Sequence, residues 1–494
     1  MNVQAKRPAT GLASLESRLA DDLSLLELPP KEWVPATEYD GRRVYDAVVI
    51  GAGMCGLVAA ASLKMLGIHN VVCLDRAPQG LEGPWVTFAR METLRSPKQL
   101  TGPALGLPSL TFRAWYVAQF GQDAWEALGK IPKGQWMDYL VWYRKVLDLP
   151  VRNRMAVTAM VPANDDLIAL DATDLASGRD ERLYARHVVL ATGRDGLGGG
   201  YVPDFMHHVD RRFWAHSADD IDFAALKGKR VAVIGAGASA MDNAATALEA
   251  GAAGVDMIIR RKEMPRVNKF TGISSQGVVH GFAGLSDDWK WKFLDYVLGA
   301  QTPPPRDSTL RVSRHPNGRF FLATGVNGLR ENGDGVIVET SRGDLEYDFV
   351  IFATGFRVNL AARPELHHFA PFIRFWQDTY APADGSENGE LATSPYLGPD
   401  FEFIEKLPGS CPSLRLVHCF NYPASLSHGK LSGDIPAVSD GGRRLARGIA
   451  RSLFVADRET HFANLVAYET PELLGDEWTD SAAMLNDFEK GAAE

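Results

Sequence analysis

Two stretches of this chain place small residues where backbone, rather than side chains, must meet a ligand. "VVIGAGMCG" sets Gly51, Gly53 and Gly56 in a GxGxxG spacing, directly after an apolar strand pattern and before a helical one. "VIGAGASAMD" repeats the phrase with Gly235, Gly237, Ser239 and Ala240. In such a loop the first glycine permits a tight turn, the second lets backbone amides close on a pyrophosphate, and the third brings helix against strand. The helix N-terminus then offers partial positive charge to the phosphates. Each stretch therefore predicts a dinucleotide site.

The strand that comes after each loop separates the two sites. The second strand of the first unit, "VVCLDR", ends in Asp75 and Arg76, with the acid about 24 residues after Gly51, where a carboxylate holds a ribose diol. The matching strand of the second unit, "GVDMIIRRKE", ends in Arg260, Arg261 and Lys262. An acid there would repel a 2′-phosphate, whereas guanidinium groups bind one by charge-assisted hydrogen bonds. The first site is predicted to hold FAD and the second NADPH, so that the nicotinamide reduces the flavin.

The elements that must position these loops recur in the same order. A βαβ pattern starts at Tyr45, turn-punctuated strands run from Val151 to Tyr184, and "HVVLATGRDG" closes the unit at Thr192 and Gly193. A second βαβ starts at Arg230, turn-rich strands come after it from Arg319 to Asp348, and "DFVIFATGF" closes at Thr354 and Gly355. The predicted class is α/β, with two Rossmann-like dinucleotide-binding domains (FAD and NADPH), each carrying an antiparallel β-meander, plus an N-terminal helical arm. The predicted division is residues 1–44 for the arm, 45–212 for the first part of the FAD domain and 213–344 for the NADPH domain. Residues 345–494 return to the FAD domain and end in a C-terminal helix. In the arm, Leu12, Leu15, Leu19, Leu23 and Leu26 recur at helical spacing. It either packs on the body or docks a partner. Residues 84–150 form an insertion rich in rings, including Trp85, Phe112, Trp115, Tyr116, Trp136, Trp142 and Tyr143.

Composition narrows the classes. The chain has 494 residues with 46% hydrophobic content, enough for two or three cores. A formal net charge of −9 leaves no basic surplus for nucleic acid. The four cysteines, Cys55, Cys73, Cys411 and Cys419, have neither metal spacing nor a redox CxxC, and read as reduced packing residues of a cytoplasmic protein. No targeting segment and no membrane span are predicted, and a homodimer is compatible with this surface.

These motifs resemble the class B flavoprotein monooxygenases, which include flavin-containing, Baeyer-Villiger and N-hydroxylating members. The resemblance runs from Tyr45 to the C-terminal helix and rests on "GAGMCG" with Asp75, "GPW" ending in Trp85, "VVLATG", "VIGAGASAMD" and "VIFATGF". It implies that NADPH reduces FAD, that O2 adds at the flavin C4a as a hydroperoxide, and that a small organic substrate takes one oxygen atom. His216 and Ser217 match part of the flavin-containing and Baeyer-Villiger signature, but Asp210, Arg212 and Asp220 depart from it. Lys98 in "METLRSPKQL" and the run "SHGKLSGDIP", with His428 and Asp434, resemble flavin-proximal parts of the N-hydroxylating members. Lys98, Asn421 and His428 are thus the candidate catalytic side chains, Asn421 being equally suited to capping its loop. Two rivals stand beside this reading: an NADPH-dependent flavin reductase or oxidase that releases peroxide, and a non-catalytic flavoprotein that docks a partner through the N-terminal helix. Disulfide reduction is disfavoured because no CxxxxC comes after the first loop.

Overall fold

The apolar run before the first glycine loop forms a strand, Tyr45–Ile50, that is buried on both faces as a central parallel strand must be. It pairs in parallel with Val71–Asp75 on one side and Arg179–Leu190 on the other, in the computed structural model, which describes residues 10–206, 208–383 and 385–482. Val151–Asn153 adds an edge beyond Val71–Asp75, and Val417–Cys419 from the C-terminal region pairs in parallel with Arg179–Leu190. Arg179–Leu190 is long enough to serve two layers. Residues from Ala185 onward join the parallel sheet, while the earlier ones continue antiparallel into Leu167–Asp174 and Met155–Asn164.

A second sheet holds five parallel strands in the order Trp214–His216, Phe349–Phe352, Arg230–Ile234, Gly254–Ile258 and Gly318–Phe321. Two of these lie elsewhere than the sequence places them. Gly318–Phe321 is a parallel edge strand rather than the first of the turn-rich strands, which form a separate antiparallel trio over Val326–Asn332, Gly335–Thr340 and Gly343–Tyr347. Phe349–Phe352 falls after residue 344 yet sits inside the second sheet, because Val350, Ile351 and Phe352 complete its buried layer. The two sheets are joined by a pair of short crossing strands, Gly198–Gly200 against Phe356–Val358. A Cβ on Gly198 would come within 1.9 Å of Arg357 O, so only glycine lets the crossing close.

The arm packs on the body. Its helix, Leu12–Leu25, buries Leu15 and Leu19. Arg18 Nε donates to Ser109 Oγ at 3.1 Å, and Trp142 Nε1 donates to Glu16 Oε1 at 3.0 Å. The insertion contributes two helices, Phe112–Ala127 and Lys133–Val146, whose rings gather into one core with Phe112, Trp136, Tyr139 and Tyr143 fully enclosed. The C-terminal helix, Val438–Ala456, lies across the helix just after the first glycine loop, Met54–Lys64. A Cβ on Gly442 would sit 2.5 Å from Val58 Cγ1. Among the described residues no helix is long and apolar enough to cross a membrane.

Candidate functional site

The glycines of the first loop have separable duties. Gly51 has φ +100° and a Cβ there would stand 2.5 Å from Ala191 O, while a Cβ on Gly56 would stand 1.9 Å from Gly51 O. Both are demanded by chain meeting chain. Gly53 is different: its nearest neighbour would be Gly83 Cα at 3.6 Å, so space remains on that side. A groove opens there, lined by Ala52, Gly53, Gln79, Glu82, Met137 and Arg144 among others. Beside it, the buried indole N–H of Trp85 has no hydrogen-bond partner. An orphan donor next to an open backbone cradle fits an anionic ligand.

Asp75 stands where the strand ends and grips its own loop. Its Oδ2 accepts from Ala52 N at 2.7 Å and its Oδ1 from Ala77 N at 2.8 Å. Burial raises its pKa above the ordinary carboxylate value, and the two amides pull it back. Arg76 points into solvent. Glu82, unremarked in the sequence, is buried and accepts from Arg144 Nη1 at 3.1 Å, Asn153 Nδ2 at 2.6 Å and Gly80 N at 2.7 Å. This network stiffens the groove wall, and nothing local in the sequence joins its members.

The second loop repeats the first with looser packing. Gly235 has φ +139° and its Cβ would meet Ala353 O at 2.5 Å, whereas nothing lies within 4 Å of a Cβ on Gly237. Ala240, in place of a third glycine, is fully buried and Ser239 is exposed. Arg260 and Arg261 are exposed beyond the end of Gly254–Ile258, with Arg261 Nη2 donating to Gly299 O at 2.9 Å.

The two Ala-Thr-Gly strand ends are alike in backbone. Gly193 has φ +86° and Gly355 +87°. Thr192 Oγ1 donates to Gly196 O at 2.9 Å and accepts from Asn421 Nδ2 at 3.2 Å; Thr354 Oγ1 donates to Tyr201 O. His216 wedges the crossing strands: its Nε2 lies 3.0 Å from Gly355 O, and a Cβ on Gly200 would fall 2.4 Å from its Nδ1. Burial lowers its pKa.

The three catalytic candidates are placed in different settings. Asn421 is buried at the carboxyl end of the first sheet, where it accepts from Cys419 Sγ at 3.0 Å and its carbonyl accepts from Ser432 Oγ at 2.7 Å. It ties a strand end to the segment carrying Asp434. That segment also covers the start of the first glycine helix, since Cys55 Sγ donates to Ser432 O at 3.4 Å. Asp434 is half-buried and pairs with Lys430 at 3.3 Å. His428 lies deeper, 3% exposed, with Nε2 2.9 Å from Gly398 O and its ring 4.1 Å from that of Phe401. Burial and Arg444 push its pKa down to about 3, so it is neutral and enclosed. Lys98 turns its ammonium onto the carbonyls of Trp125, Glu126 and Leu128, closing the C-terminal end of helix Phe112–Ala127. No sequence signal singled out Arg194, directly after Thr192 and Gly193, whose guanidinium carbon lies 4.4 Å from the centroid of the Tyr422 ring.

The family described as pyridine nucleotide-disulphide oxidoreductase matches residues 48–274. A FAD-dependent urate hydroxylase of Xanthomonas campestris pv. campestris is 40% identical over 465 residues, 94% of this chain and 98% of that protein. The chain belongs to the class B flavoprotein monooxygenases. It is accordingly a monooxygenase, an oxidoreductase. The L-lysine N6-monooxygenase of Escherichia coli is 27% identical over 197 residues, 35% of this chain and 45% of that protein. Among solved structures, L-lysine 6-monooxygenase from Pseudomonas syringae superposes with a TM-score of 0.64 at 17% identity, covering 82% of this chain and 99% of the other. An ornithine N-hydroxylase from Kutzneria sp. 744 gives 0.61 at 18% identity, covering 83% and 99%. These two establish a common α/β fold.

Proposed function

We propose that this chain holds FAD at the first glycine loop and uses NADPH, bound at the second, to hydroxylate urate or a closely similar oxidised purine with O2. The observation that carries this reading is the extent of the likeness to the urate hydroxylase, which spans nearly the whole of both chains. The two loops support it, since each leaves open space at its middle glycine and only the second has arginines where the first has the buried Asp75. In this reading residues 45–212 and 345–494 form the flavin domain, apart from Phe349–Phe352, which joins residues 213–344 in the nicotinamide domain.

When bound and reduced, the flavin supplies activation of O2 and transfer of one oxygen atom to the substrate. The chain's own residues hold, orient and keep water away. Asp75 fixes the loop that receives the dinucleotide. Asn421 and Thr192 lock the strand end to the covering segment. The N-terminal end of Val438–Ala456 brings partial positive charge to that region. Trp85 and Trp136, with ring centroids 6.1 Å apart, form an apolar wall together with Ile435 near Gly102. Lys98 and His428 act as positioning residues. The test is direct: purified protein should be yellow, NADPH should bleach it, and urate should raise NADPH consumption while suppressing peroxide. Bleaching with undiminished peroxide across urate and related purines would favour the reductase or oxidase instead.

A further inference from the structure

Two arginine-on-tyrosine pairs stand at the carboxyl ends of the sheets, where open α/β sheets bind their ligands. Arg194 lies over Tyr422, and both are fixed to one strand end because Tyr422 N donates to Gly193 O at 3.4 Å. Arg357, opposite Gly199 on the crossing strands, lies 3.4 Å from the centroid of the Tyr201 ring. Among the described residues no carboxylate is within ion-pair distance of either guanidinium. Glu390, on the short helix Gly389–Ala392, keeps exposed surface, yet desolvation holds its carboxyl above the ordinary range, and Arg194 and Arg357 are the cations acting on it. Tyr422 lies in the field of Glu390 and of Asp434, and Asp434 belongs to the segment over the start of the first glycine helix.

A guanidinium held over a phenol ring by cation–π attraction still has N–H donors to offer a second partner. Those donors suit a flat anion with two acceptors on one edge. Urate, a planar monoanion at neutral pH, has that form. We propose that Arg194, held over Tyr422, anchors the substrate, a planar heterocyclic anion, through its paired N–H donors, and that Glu390 is the counter-charge the anion displaces. This inference rests on the hydroxylase reading and assigns its specificity residue.

The experiment uses the FAD-loaded full chain as wild type, Arg194→Met, Arg194→Lys and Glu390→Gln. Arg194→Met is expected to raise the KM for urate by about a hundredfold, the loss expected on truncation of a desolvated charge pair. Arg194→Lys keeps the charge without the fork and is expected to raise it by roughly tenfold. Flavin content and the rate of flavin reduction by NADPH without urate should stay at wild-type values in both. Glu390→Gln should lower the urate KM. An unchanged urate KM in Arg194→Met, or an equal rise in the KM for NADPH, overturns the assignment, and an unchanged urate KM in Glu390→Gln overturns the counter-charge. Should the wild type fail to oxidise urate, the hydroxylase reading fails by itself. Arg194 is then judged by titrating the flavin spectrum with xanthine, orotate and benzoate. Binding by the wild type that Arg194→Met loses sustains the anchor, whereas no binding, or equal binding in both proteins, overturns it.

Discussion

The two glycine loops share a spacing and differ in enclosure. Around the first, the helix Met54–Lys64 is buried along nearly its whole length, a C-terminal helix crosses it, and Ser432 to Asp434 lie over its start. Around the second, the middle glycine faces open space, Ser239 is exposed and the arginines beyond the strand stand in solvent. On the proposed function the first loop would retain its ligand and the second exchange one. The same backbone device is thus enclosed at one place and open at the other according to what is packed over it.

The sharpest way to break this contrast is to add one methyl group to each loop. Gly56→Ala puts a Cβ against Gly51 O, at 1.9 Å, where neither chain segment can give. It should cost about 4 kcal/mol or more and abolish flavin retention, read by absorbance and thermal melting. Gly237→Ala, with nothing in its way, should leave the melting temperature near that of the wild type. If the two behave alike, the contrast is wrong.

Asp75→Ala should come next in size. It strands the amides of Ala52 and Ala77, a loss of about 2 to 3 kcal/mol, seen as flavin lost on gel filtration. An acid challenge should act on the covered loop. His428 and His418 are pushed down to about 3 and about 4, chiefly by burial. The unfolded chain, with an ordinary imidazole near 6.5, takes up those protons first, so each histidine removes stability as pH falls from about 6.5 toward its folded value. Each contributes about 2 kcal/mol of loss by pH 5. His428→Gln, which keeps a donor for Gly398 O, should flatten the fall in melting temperature between pH 7 and 5. An unaltered slope would show that His428 is not the sensor. The smallest effect is expected at the open site. Arg260→Ala should raise the KM for NADPH roughly tenfold and leave that for NADH unmoved, measured by flavin reduction.

Much of the scaffold was legible because its signals are local. Strand, glycine loop, helix and acid sit within one short stretch around Gly51, and the second unit repeats strand, loop and helix around Gly235 with arginines in place of the acid. The Ala-Thr-Gly strand ends at Thr192 and Thr354 were equally visible. Other features were not local. Phe349–Phe352 closes the second unit in the sequence pattern but falls in the range 345–494 assigned to the FAD domain, and its hydrogen bonds place it inside the second sheet. Lys98 and His428 sit in motifs that resemble flavin-proximal segments, while their polar atoms are taken up by a helix end and by Gly398 O.

The sequence by itself determined that this chain has two glycine loops between strand and helix, and which of them is matched by an acid and which by arginines at the next strand end. Those properties depend on residue type and short-range spacing. Only the tertiary structure decided which glycines are needed for packing and which leave room for a ligand, since that turns on distances to Ala191, Ala353 and Gly83. It also decided that Arg194 meets Tyr422 and that Asn421 meets Thr192. These partners lie far apart in the chain, and only the pairing of Val417–Cys419 with Arg179–Leu190 brings them together.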